Sequence, residues 1–152
     1  MACNFFKMKK KILILFVLLF ISCGSIDTVK FTVYEAGKKN IYSTKLPSGY
    51  IITKHNGEIF EEIHYNYSDG SIFYYTNDYQ SGGNVNKEKI KKFGEKILIK
   101  TAVNDTLDIN GINEFGREWR EKKRSNLILG YINASTEMAN KFDKAIENIS
   151  KK

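Results

Sequence analysis

Few residues in this 152-residue chain carry reactive chemistry. There are two cysteines, Cys3 and Cys23, and two histidines, His55 and His64. A thiol can attack, bind a metal or accept a modification, and an imidazole can move a proton or ligate. A metal site needs three or four converging ligands. The strand pairing expected below sets the two histidines far apart, so neither a metal nor any other cofactor is expected. Neither histidine is accompanied by a Gly-x-Ser-x-Gly elbow, and there is no phosphate-cradling glycine loop. Glu61 and Glu62 are adjacent. On a strand they point to opposite faces, so they cannot act as a carboxylate pair. Glu61 reads as an edge residue or a contact for Lys54. His64 with Glu62 is the one proton-relay pair on offer, and a hydrolase built on it is the weaker functional alternative.

Cys23 sits in a more informative setting. Lys7, Lys9, Lys10 and Lys11 form a positive patch with no acidic residue near it. Ile12 to Ile21 is an unbroken apolar run of ten, and Ser22, Cys23, Gly24 and Ser25 are all small. A basic head, an apolar middle and a small-residue end describe an export leader. Ten residues of helix reach about 15 Å, half a bilayer core, so the run reads as a leader and not as a membrane span. Met8, followed by three lysines, reads as a start in its own right, with Met1–Lys7 as an extension ahead of it.

The stretch Phe20-Ile21-Ser22-Cys23 resembles the cleavage box of bacterial lipoproteins processed by the lipoprotein signal peptidase. The resemblance covers about 25 residues and implies cleavage between Ser22 and Cys23. It implies a diacylglyceryl group on the Cys23 sulfur and then acylation of its new amino group. The chain would be held to a bacterial membrane by acyl chains, as an outer-membrane lipoprotein facing the periplasm. Residues 1–22 are then leader, 23–28 a short lipidated tether, and 29–152 a single domain.

The leader also corrects the charge. The whole chain carries +7, but all 17 acidic residues lie at or beyond Asp27 and four of the 24 basic ones lie in the leader, which leaves +3. That is not the charge density of a nucleic-acid binder. With Cys3 removed and Cys23 lipidated, no cysteine remains for a disulfide, a metal or a nucleophile. The 130 residues from Cys23 onward suffice for one core held by packing alone.

The elements that would carry these residues read as α+β: a mostly antiparallel sheet of about six to eight short strands, with helix packed on one face. Val29–Glu35 alternates as a strand. Asn56-Gly57 and Asp69-Gly70 suit tight two-residue hairpin turns. They predict that Ile52 faces Glu61 and Tyr65 faces Tyr74, with Tyr50, Ile52, Ile59, Ile63, Tyr65, Tyr67, Ile72 and Tyr74 on the apolar face. Phe73 and Tyr75 then fall on the other. Asn77–Asn84 reads as a loop. Asn86 is expected to cap a short helix ending at Gly94, with Val85 packing on Ile90. Lys96–Val103, Thr106–Asn110, Gly116–Lys123 and Leu127–Asn133 read as strands. Met138, Phe142, Ile146 and Ile149 form one stripe of a C-terminal helix opened near Ser135.

One of these strands, within "GREWREKKRSN", is unusually charged. Arg117, Trp119, Glu121 and Lys123 share one side; Glu118, Arg120, Lys122 and Arg124 share the other. The sequence predicts a protected edge strand. It also offers a protein-binding patch of Arg117, Trp119, Arg120 and Arg124, since tryptophan and arginine dominate interface hot spots. Reversing Arg117 and Arg120 is then expected to spare the fold and abolish partner binding. The expected function is that of a membrane-anchored, non-enzymatic protein-binding or assembly module of the cell envelope. The alternatives are an immunity or inhibitor lipoprotein acting on a toxin, and a periplasmic hydrolase.

Overall fold

The computed structural model describes residues 25–35, 37–56, 61–77 and 83–151. The leader with Ser22, Cys23 and Gly24, the turn residue Gly57, Ile59, and positions 78–82 of the expected loop lie outside the described residues.

The chain opens with a hairpin. Strand β1 (Ile26–Glu35) buries Val29, Phe31 and Val33 on alternate positions and pairs along its whole length with β2 (Lys38–Pro47), from Ile26↔Pro47 to Glu35↔Lys38. Strand β2 was not foreseen, because two adjacent polar residues, Ser43 and Thr44, break the apolar alternation of its buried positions. Both are buried, and the Thr44 hydroxyl donates to the Ala145 carbonyl in the C-terminal helix.

The meander follows as β3 (Ile51–Asn56), β4 (Glu61–Asn66) and β5 (Ile72–Thr76). Its existence matches expectation, but its registers do not. Ile52 faces Tyr65, not Glu61. A slip of four keeps each side chain on its expected face and moves His55 opposite Glu62. At the second turn the slip is one. Tyr65 faces Phe73 and His64 faces Tyr74. Ser68, Asp69 and Gly70 form a three-residue loop, closed by Tyr67 N–H to the Ser71 carbonyl at 2.9 Å, with Gly70 at φ 82°. The odd residue in the loop turns β5 over. Phe73 and Tyr75 therefore join Ile63 and Tyr65 in the main core, while Ile72 and Tyr74 face the opposite layer.

Two helices come next, α1 (Gly83–Phe93) and α2 (Lys96–Val103). Helix α1 ends at Gly94 as expected, but it begins before Asn86, which therefore lies inside the helix and does not cap it. Val85 packs into the cluster of Tyr74, Trp119 and Ile128. Lys96–Val103 is a helix where a strand was expected. Ile97 and Thr101, four apart, are its buried residues. A short apolar run satisfies either period. What settles it is a cation at the helix end: Lys123 Nζ donates to the Thr101 and Ala102 carbonyls, 2.7 and 3.1 Å away, which otherwise lack helical partners.

Strands β6 (Thr106–Ile112), β7 (Glu118–Arg124) and β8 (Leu127–Ala134) complete the sheet. Helix α3 (Thr136–Glu147) is capped by Ser135, whose Oγ accepts from Met138 N–H at 3.3 Å. It buries Ala139, Phe142, Ala145 and Ile146. A two-residue β9 (Ser150–Lys151) returns to β2 at Ser43 and Tyr42.

The six-stranded sheet runs β3-β4-β5-β8-β7-β6 and the small one β1-β2-β9, every described pairing being antiparallel. The fold is α+β, with helix packed on a mostly antiparallel sheet. The β1–β2 hairpin and α3 cover one face of the large sheet, with Phe31 stacked on Tyr75 at 5.0 Å. Helices α1 and α2 cover the other.

Candidate functional site

Strand β7 lies between β6 and β8, so it is not an edge. The edge expectation fails because four of the six charges on β7, Arg120, Glu121, Lys122 and Lys123, have partners in a helix layer. Toward α1, Trp119 is 1% exposed, seated over Gly111, where an added Cβ would come within 2.7 Å of the indole. Glu121, also 1% exposed, accepts from Lys89 Nζ of α1 at 2.8 Å and from the Tyr74 hydroxyl at 2.7 Å. Lys89 is fully buried. Burial pushes the Tyr74 hydroxyl far up, with the Glu121 carboxylate adding to the shift. Toward α3, Arg120 bonds Asp108 twice, at 2.8 and 2.6 Å, and also Asp143 and Glu147. Lys122 bonds Glu147.

Of the four residues nominated as a contact patch, Trp119 therefore has no surface to offer, and the Arg120 guanidinium is occupied by three carboxylates. Arg117 ties the β4–β5 loop to strand β8, donating to the Asn133 carbonyl at 2.9 Å and to Asp69. Arg124 is exposed at the end of the strand. Arg117 reaches Asn133 because β8 bulges there. Glu118 faces Ala134 but Arg120 faces Tyr131, and Asn133 sits at φ 56°, which asparagine tolerates. Reversing Arg120 would set a fourth carboxylate against Asp108, Asp143 and Glu147, so the fold itself would register the change.

The Arg120 network gives a pH prediction. Bonds from Arg120 hold the Asp108 carboxyl below its ordinary range, and bonds from Lys122 and then Arg120 do the same for Glu147. A depressed carboxylate stabilises above its unfolded value and stops doing so as pH falls through its folded one. The denaturation midpoint should therefore fall as pH drops below about 4. Arg120→Met should flatten that fall. An unchanged acid limb in the variant would show that the network does not couple to folding.

The histidines are not far apart. Their ring centroids lie 5.1 Å from one another on the α1 side of the sheet, and His64 Nε2 contacts the buried Glu62 carboxylate. His64 neighbours Tyr74 and not Tyr75. Glu62 can fix the imidazole and support it as a base. Among the described residues no hydroxyl bonds to His64, and no three His, Asp or Glu residues are arranged to hold a metal.

Two features escaped sequence reasoning. At one end of the sheet, Lys92 of α1 donates to the Asn110 carbonyl at 2.6 Å and Lys91 pairs with Glu114. These bonds bring the tip of α1 to the β6–β7 hairpin. Around this junction Phe93, Ile112 and Phe115 are 44, 69 and 78% exposed. The only sequence signal is an aromatic inside a polar turn, Asn113-Glu114-Phe115-Gly116. The second feature is the start of the domain. Ser25 is already fixed, its carbonyl accepting from Ser48 N–H and Oγ at 2.9 Å each. Strand β1 begins at Ile26 and not Val29, so Ser25 to Thr28, expected as tether, belong to the fold. A groove of about 620 Å3 opens beside Ser25 and Ile26, lined by the end of β2 and by α3.

No family model, no curated protein and no solved structure matches this chain.

Proposed function

We propose that the chain is a cell-envelope lipoprotein, anchored through acyl chains on Cys23, whose domain is a non-enzymatic protein-binding or assembly module. The observation that carries this reading is a basic, apolar, then small-residue leader that ends at Cys23. Two residues later comes Ser25, already bonded into the fold. Two residues span at most about 7 Å, so the domain would work against the membrane surface, in this reading the outer membrane on its periplasmic side.

A binding role is supported by the exposure of Phe93, Ile112 and Phe115 at the helix tip and the hairpin it bonds to, since large apolar side chains left in water favour protein contact. They replace Trp119 as the candidate contact. An immunity or inhibitor lipoprotein would use the same surface on a toxin. A hydrolase reading rests only on the His64–Glu62 contact.

Phe93→Ser with Phe115→Ser tests the binding role. Both residues are exposed, so the folding midpoint should stay within about 0.5 kcal/mol of wild type. Recovery of crosslinked envelope partners should fall at least about tenfold, the loss of one modest hot spot. Undiminished recovery of the same proteins would place the contact elsewhere.

A further inference from the structure

The groove beside Ser25 combines three properties. Its floor is made of buried Thr44, Leu46 and Ala145, with the exposed Ile26 at its mouth. Its lining is basic, holding Lys45, Lys141 and Lys144 and no carboxylate. Lys141 pairs with Glu137 on α3. Lys45 and Lys144 are exposed and form no ion pair with a described residue. The groove also follows a strand edge, because β9 pairs with β2 only at Tyr42 and Ser43 and, among the described residues, no strand pairs with Thr44 to Pro47 on that side.

We propose that this groove receives an anionic phospholipid of the bilayer in which the protein is anchored. The proposal rests on acylation of Cys23. The lipid phosphate lies against Lys45 and Lys144, and its first methylenes lie on the Leu46–Ala145 floor. Position supports this occupant over others. Acyl chains on Cys23 start within about 7 Å of Ser25, so the groove is held at headgroup depth whenever the protein is anchored. A volume of about 620 Å3 suits a headgroup and the start of its chains. Lysine stems also fit this setting, lying along apolar surface while their charged ends meet phosphate. The lipid would orient the domain, turning α3 and β2 toward the bilayer.

The test uses the full chain purified from membranes, with acylation of Cys23 first verified by mass. It is reconstituted in phosphatidylcholine vesicles doped with a phosphatidylglycerol bearing a photoreactive acyl chain. Crosslinks are expected to concentrate on the peptides containing Thr44–Pro47 and Lys144–Asn148. Lys45→Gln with Lys144→Gln, two exposed positions, should lower that yield about 25-fold, at about fivefold for each lysine near an anionic surface. Crosslinks spread evenly over the domain, or undiminished in the double variant, would overturn the site. An unacylated Cys23, seen before reconstitution, would instead remove the anchored premise and the site with it.

Discussion

Glu121→Ala is expected to destabilise the domain by about 3–5 kcal/mol, the usual cost of stripping one partner from a buried ion pair. Typical domains have only about 5–15 kcal/mol in total. The substitution leaves the fully buried Lys89 ammonium without its counter-charge and the Tyr74 hydroxyl without its acceptor. Glu121→Gln keeps an acceptor for Tyr74 and still strands the ammonium, so it should also be severe. The triple change Lys89→Met, Glu121→Leu and Tyr74→Phe removes all three polar groups together. It should recover most of the loss, since well-packed apolar replacements of buried pairs are often neutral or better. Chemical denaturation reads all three. A Glu121→Ala midpoint within about 1 kcal/mol of wild type would mean that the helix layer is not held through this carboxylate.

The second large effect is on the anchor. Cys23→Ala should reduce incorporation of labelled fatty acid to background and leave a precursor larger by its leader. A single acyl chain binds membranes only marginally, so stable attachment takes two signals, and the sulfur and amino group of Cys23 would supply both. The precursor keeps its apolar run from Ile12 to Ile21. Size and label are therefore the readouts, because fractionation alone would confuse a retained leader with a lipid. Labelling of the variant equal to wild type would remove the anchor from Cys23.

The fold class was legible because its strongest signals are local. Val29, Phe31 and Val33 alternate, and Phe142 and Ile146 stack on one helix face below a serine cap. What misled was one residue of loop length. Asp69-Gly70 suggests a two-residue turn, and a third residue reversed every side chain of β5. The charged strand misled for a different reason. Lys89 is 32 residues from Glu121, and Glu147 is 27 from Arg120. No local pattern marks a charge as paired when its partner lies on a helix elsewhere in the chain, so paired core charges read as an edge. Of the candidate sites, Cys23 was visible because its context is contiguous. The basic groove was not, since β1, β2 and α3 each supply part of it.

In the proposed arrangement the domain is tied to a membrane at Cys23 with a single residue between anchor and fold. The mass of the N-terminal peptide, taken from protein extracted out of its native membrane, tests it most directly. The expected peptide begins at Cys23, carries a diacylglyceryl thioether and is acylated on its amino group. An unmodified Cys23 still joined to Ser22 would contradict it.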